Sequence, residues 1–225
     1  MKIFLDTSDI NIIRKYYDTG LIDGVTTNPT LMMQSGRNPI NVIKDISTLF
    51  PKESSISAEV VGDTAEEMIS QAKAILRSQS KEYRKISQNI TIKVPCSVEG
   101  LKACKTLSDL NISVNVTLIF SVQQAILSAK AGATYVSPFI GRLEDNNSNG
   151  IELIKSIYNV YYLNDVSTEI LAASIRNLNH IEYAFEAGAD IVTIPPKLFE
   201  EMYQHDLTDQ GIAQFDKDWK KINHK

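Results

Sequence analysis

"AKAGATYVSPF" (residues 129–139) and "FEAGADIVTIP" (185–195) are near copies, and they decide how the chain folds. Each joins the end of a helical stretch to a β-rich run through Ala-Gly-Ala. Gly132 and Gly188 stand where a helix needs a left-handed residue before the next strand begins. The same alternation extends both ways along the chain. Strand-like runs are "KIFLD" (2–6), "GVTTN" (24–28), "SISAEV" (55–60), "NITIKVP" (89–95), "SVNVTLI" (113–119), "TYVSPFI" (134–140), "TEILAAS" (168–174) and "DIVTIP" (190–195). Helix-start signals lie between them: Thr7-Ser8-Asp9, Asn28-Pro29, Asp63 with Glu66, and Ser121 with Gln124.

Strands that alternate with helices pair in parallel through right-handed crossovers. Eight such units predict one α/β domain over residues 1–225, a (β/α)8 TIM barrel with an extra C-terminal helix. A chain of about 250 residues is typical of that fold. The rival, an open doubly wound sheet, loses ground because no G-x-G-x-x-G turn follows the first strand.

Composition narrows the function. The 225 residues are 43% hydrophobic and 22% charged with a net charge of -4, enough apolar material for a sizeable core. No Lys/Arg cluster forms the basic face that a nucleic acid requires. The N-terminal "MKIFLDTSD" has a short apolar run ended by Asp6, so neither a signal peptide nor a membrane anchor is expected. Cys96 and Cys104 are too few for a disulfide framework and lack metal-ligand spacing; free thiols and a cytoplasmic location are expected.

Side-chain parity then sorts the strands, because successive residues face opposite sides. Thr91 and Lys93 oppose Ile90, Ile92 and Val94; Ser57 and Glu59 oppose Ile56, Ala58 and Val60. Ser113, Asn115 and Thr117 oppose Val114, Val116 and Leu118, and Tyr135, Ser137 and Phe139 oppose Val136, Pro138 and Ile140. Asp6 and Asn28 close the first two runs. In a barrel the aliphatic faces pack on helices, and the polar faces meet in the lumen at the C-terminal mouth, where barrel enzymes place their chemistry.

Lys93 is the odd member, since an unpaired buried ammonium is costly. One reading makes it a structural lysine paired with Glu59 or Asp6. The other makes it a nucleophile. An uncharged amine, favoured by desolvation, adds to a ketone and forms an iminium ion, an electron sink that lets a neighbouring C–C bond break. Two carboxylates on other strands could move the protons of each half reaction. Cys96 lacks a base, because His180, His205 and His224 all lie off the strand runs. The same placement leaves no zinc ligand set, and Asp6, Glu59 and Asp63 have no acidic-loop pattern for a hard cation. No metal site is expected from these residues.

"FLDTSD" (4–9), "GVTTNPTL" (24–31), "AEV" (58–60), "IKVP" (92–95), "NVTLIFS" (115–121), "SPFIGR" (137–142) and "ASIRN" (173–177) together resemble the transaldolases, in the short subfamily that includes fructose 6-phosphate aldolases. The motifs run in family order over essentially the whole chain. The resemblance implies that Lys93 forms a Schiff base and Asp6 acts as acid/base on the substrate hydroxyl beside the cleaved bond. It implies that Glu59 and Thr117 hold the water of imine formation and hydrolysis. Asn28, Asn115 and Ser137 would bind the dihydroxyacetone part, and Arg142, Ser174 and Arg176 the phosphate, a task that suits guanidinium groups.

The implied reaction moves a dihydroxyacetone unit from sedoheptulose 7-phosphate or fructose 6-phosphate to an aldose phosphate, in the non-oxidative pentose phosphate pathway, and needs no cofactor or metal. The aldolase branch resembles this chain but carries glutamine at the position of Glu59 and tyrosine at that of Phe139, so this pair favours transfer over release. The alternatives are an aldolase that releases free dihydroxyacetone and a non-catalytic sugar-phosphate-binding barrel. Gly141 in "SPFIGR" departs from the expected pattern without an evident mechanistic consequence. The tail "LTDQGIAQFDKDWKKI" (207–222) has helical period, with Leu207, Ile212, Phe215, Trp219 and Ile222 in one stripe. It either closes its own barrel floor or, as in relatives that form decamers of two pentamers, reaches a neighbouring subunit of a homo-oligomer.

Overall fold

The computed structural model describes residues 1–77 and 89–222. His224 lies outside them. Eight parallel strands close in chain order: β1 (Lys2–Asp6), β2 (Gly24–Thr26), β3 (Ser55–Glu59), β4 (Ile90–Pro95), β5 (Val114–Ile119), β6 (Tyr135–Pro138), β7 (Glu169–Ala172) and β8 (Ile191–Ile194). Closure pairs β1 with β8, setting Lys2 opposite Ile191 and Leu5 opposite Ile194. This is the (β/α)8 barrel expected from the alternation.

Helices α1 (Ile10–Tyr17), α2 (Pro29–Ser35), α3 (Pro39–Ser47), α4 (Ala65–Arg77), α5 (Val98–Asp109), α6 (Val122–Lys130), α7 (Ile140–Glu144), α8 (Gly150–Leu163), α9 (Leu178–Glu186) and α10 (Pro196–Glu201) connect the strands or follow the last one. Their starts are chemically specified. Asp9 Oδ1 accepts from the N–H groups of Asn11 and Ile12, and Ser121 Oγ accepts from Gln124 N–H. After β3 the cap differs from the expected Asp63–Glu66 pair by one residue. Thr64 Oγ1 accepts from Glu67 N–H while Glu67 Oε2 accepts from Asp63 N–H, because the helix begins at Ala65. Gly132 (φ 86°) and Gly188 (φ 98°) take the left-handed conformation predicted for them.

The aliphatic strand faces form the larger core with the helices. Ile56, Ile92, Val116 and Ile194 meet Ile13, Ile46, Met68, Leu107 and Ile154 there, all fully buried. Each such side chain contributes about 1.5–3 kcal/mol. The lumen is divided. Phe4, Tyr135, Leu171, Ala173 and Ile191, with Phe139 against them, make an apolar wall on the β1, β6, β7 and β8 side. Across from it stand Thr26, Ser55, Ser57, Thr91, Lys93, Asn115 and Thr117, all buried and polar.

Parity fails at one place. The register between β5 and β6 shifts between Val116 and Ile119, and Leu118 has a φ of 61°. Ile119, not Leu118, therefore joins Val114 and Val116 in the outer core. The strand ends also run shorter than expected at Thr26 and Ala172: Asn28 caps α2, and Ala173 continues the pairing as an isolated bridge to Phe139.

Helix α11 (Asp206–Ile222) follows α10, and none of its residues is buried. Leu207, Ile212, Phe215, Trp219 and Ile222 are 58–76% exposed. No helix among the described residues is long and apolar enough to cross a membrane.

Candidate active site

Strand register builds the centre. Glu59 of β3 lies opposite Lys93 of β4, which lies opposite Asn115 of β5. Lys93 is 5% exposed, and its Nζ sits 3.0 Å from Glu59 Oε2 and donates to the Thr27 carbonyl at 3.1 Å. The carboxylate stabilises the ammonium that burial disfavours, and it stands close enough to take its proton. On the far side of Asn115, Ser137 Oγ donates to Asn115 Oδ1 at 2.8 Å, and Asn115 Nδ2 donates to Ser57 Oγ at 3.3 Å.

Asp6, the last residue of β1, accepts from Thr26 Oγ1 at 2.8 Å, and Thr26 Oγ1 lies 2.6 Å from Thr193 Oγ1. A hydroxyl carries one proton. With Thr26 donating to Asp6, Thr193 must donate to Thr26, so a hydroxyl chain from β8 through β2 fixes the carboxylate. Desolvation pushes the Asp6 carboxyl above its ordinary 3.8, opposed by the Lys93 charge and the Thr26 hydrogen bond. No motif assigns a role to Thr26 or Thr193. Strand parity in "GVTTN" and "DIVTIP" places both in the lumen, and that signal was available.

Asp6, Asn28, Lys93, Ser137, Phe139, Arg142 and Ser174 line one cavity of about 160 Å³ together with Thr26, Ala173 and Thr193. Asn28 enters it as the N-cap of α2, where its Oδ1 accepts from Leu31 N–H, rather than as the end of a strand. Glu59 lines a second cavity of about 440 Å³ with Thr27, and Asn28 borders both cavities. Thr117 is buried with a hydroxyl oxygen that has no partner among the described residues. The bulge at Leu118 directly follows it.

The arginines differ. Arg142 lies over the Phe139 ring, 5.1 Å from its centroid, inside the cavity wall. Arg176 stands outside that cavity, with its Nη2 on Asp145 at 2.9 Å. Ser174 between them has a φ of 59°. Gly141, which looked inconsequential in the sequence, is the contact point of the two loops. Its N–H donates to the Ser174 carbonyl at 3.0 Å, and a Cβ there would lie 2.4 Å from that oxygen.

Fold and site define a barrel enzyme with its polar groups gathered at the C-terminal mouth. Comparison with known proteins narrows the class. A family model described as Transaldolase/Fructose-6-phosphate aldolase matches residues 3–225. A "Probable transaldolase" of Paracoccus denitrificans is 49% identical over 225 residues, covering 100% of this chain and 99% of the relative. Another, from Caulobacter vibrioides, is 49% identical over 219 residues, covering 97% and 96%. A third, from Brucella anthropi, is 48% identical over the full chain. The chain belongs to the transaldolase/fructose-6-phosphate aldolase family.

Proposed function

We propose that this protein is a transaldolase that moves a dihydroxyacetone unit from sedoheptulose 7-phosphate or fructose 6-phosphate to glyceraldehyde 3-phosphate or erythrose 4-phosphate through a Schiff base on Lys93. The observation that carries the reading is a nine-tenths buried lysine in register with one carboxylate and within the field of a second. In this mechanism Lys93 Nζ, after giving up a proton to Glu59, adds to the ketone of the donor. The carbinolamine hydroxyl is protonated and leaves as water, forming the iminium ion. Asp6 takes the proton of the hydroxyl beside the scissile C–C bond. That bond breaks, the aldose phosphate departs, and the electron pair remains as the enamine. Addition to the acceptor aldehyde and hydrolysis run the steps in reverse and free the lysine.

Several features support this assignment of roles. The raised pKa of Asp6 suits a group that must accept and return a proton. The orphaned Thr117 hydroxyl is a ready partner for a water beside the imine. Asn28, Asn115 and Ser137 offer amide and hydroxyl groups to the dihydroxyacetone part, and Arg142 with Ser174 and Arg176 offers charge and hydrogen bonds to the phosphate. Glu59 and Phe139 favour transfer over the release of free dihydroxyacetone. Two free cysteines suit a reducing cytoplasm, and the open apolar stripe of α11 suits a helix that packs on a neighbouring subunit of a homo-oligomer.

Borohydride reduction in the presence of fructose 6-phosphate tests the mechanism. The expected result is a mass increment on the peptide carrying Lys93, absent in Lys93→Met; an adduct elsewhere, or none, overturns it. Incubation with and without erythrose 4-phosphate separates transfer from aldol cleavage, and free triose formed at a comparable rate without acceptor would favour the aldolase.

A further inference from the structure

We infer that His180 is a positioning residue for the phosphate arm of the site. It holds the Arg176 backbone at a fixed place against the loop that carries Arg142. The inference rests on reading Arg142 and Arg176 as phosphate ligands. His180 lies in the first turn of α9 and is 5% exposed, more buried than a histidine usually is.

Its hydrogen bonds assign its tautomer. Arg176 N–H donates to His180 Nδ1 at 3.3 Å, so the proton must sit on Nε2. Nε2 lies 2.9 Å from Glu144 Oε2 and donates to it. Glu144 is two residues from Arg142 on α7. One imidazole thus joins the two loops that carry the two guanidinium groups. Its own backbone N–H donates to the cap residue Asn177 at 2.9 Å, which fixes the helix end from which it reaches.

The second tie between the loops is backbone contact. Gly141 approaches so closely that a Cβ would stand 2.6 Å from Arg176 Cγ. No spacer separates the loops, and Ser174 adopts its left-handed backbone between them. Among the described residues the ion-pair partner of the Arg176 guanidinium is the half-exposed Asp145, outside the cavity. To meet a phosphate in the cavity it must leave Asp145 while its backbone stays in place. The firm hold on Arg176 is therefore at its N–H, and His180 Nδ1 is the acceptor there.

Steady-state kinetics of the full chain, with fructose 6-phosphate and then unphosphorylated fructose as donor, test the role. His180→Asn places an amide oxygen near the Nδ1 position and is expected to keep KM for fructose 6-phosphate within about twofold. His180→Gln reaches toward Glu144 but leaves the Arg176 N–H unpaired. It is expected to raise that KM about tenfold, with kcat and the rate on fructose unchanged. Glu144→Ala, at a half-exposed position that does not endanger folding, should raise KM about twofold to threefold by freeing the ring.

Equal KM values for the Asn and Gln variants, or equal losses on both donors, overturn the positioning role. If His180→Gln does not fold, an unchanged KM in Glu144→Ala overturns it as well. Arg142→Ala and Arg176→Ala examine the underlying assignment. If neither raises KM for fructose 6-phosphate, the phosphate reading falls and this inference with it. If both raise it while His180→Gln matches the native protein, only the role of His180 is lost.

Discussion

Lys93 and Arg176 each meet one carboxylate at nearly the same distance, 3.0 Å to Glu59 and 2.9 Å to Asp145. Their surroundings differ completely. The side chains of the first pair are 6% and 13% exposed, those of the second 56% and 59%. In the lumen both charges are largely withdrawn from water, so each depends on the other. At the surface both ions are solvated with or without a partner. Equal geometry therefore hides unequal energetics, and the inequality matches the proposed roles. In those proposed roles a proton is exchanged where the partners are locked, and a guanidinium swings where they are not.

The largest test of this contrast is Glu59→Ala. Removing one member of the buried pair should lower unfolding stability by about 3–5 kcal/mol, read as a reduced urea midpoint at unchanged m-value. A loss under about 1 kcal/mol would erase the distinction from a surface pair.

Asp6→Asn is a smaller and pH-dependent test. Burial holds the Asp6 pKa above its ordinary 3.8, so the folded state binds the proton more tightly than the unfolded chain does. Below 3.8 both states are protonated and the group contributes nothing. As pH rises past 3.8 the unfolded state ionises first, and the native protein loses stability until the folded carboxyl has ionised too. The Asn variant escapes that loss. It should melt higher than the native protein near neutral pH and alongside it in the acid range. A gap that is independent of pH would break the assignment.

The smallest effect belongs to Asp145→Ala, which should change stability by less than about 0.5 kcal/mol, with any difference vanishing in molar salt. A larger, salt-resistant loss would place the Arg176 pair in the same class as the Lys93 pair.

The same contrast explains what the sequence made legible. Lys93, Glu59, Asn115 and Ser137 sit on strands, where a two-residue period and the cross-strand register fix their direction, so parity alone turns them inward. Thr26 and Thr193 obey the same rule, but Thr193 lies outside the motifs and Thr26 has no assigned role within "GVTTNPTL". Arg142, Ser174 and Arg176 lie beyond the strand ends, where no period governs direction. Their motifs put them near the mouth, but the outward turn of Arg176 toward Asp145 depends on a side chain from a different loop. The bulge at Leu118 was hidden because "VNVTLI" reads as unbroken alternation, and the shift depends on pairing with β6. The need for Gly141 was invisible for the same reason, since the atoms that exclude a Cβ belong to Ser174 and Arg176, more than thirty residues onward.

Leu118 and Ser174 share a further property. Among the described residues, five non-glycine positions have a positive φ, and three of them are Asn111, Asn147 and Asp165, types that tolerate that conformation in turns. The other two, for which it costs about 1–2 kcal/mol, lie at the candidate site, one directly after Thr117 and one between Arg142 and Arg176 in the chain. Selection for thermal resistance alone would replace both with glycine and relax the backbone. The chain keeps the tension at its mouth, so its route to greater heat tolerance runs through the floor and the helical shell and leaves the rim alone.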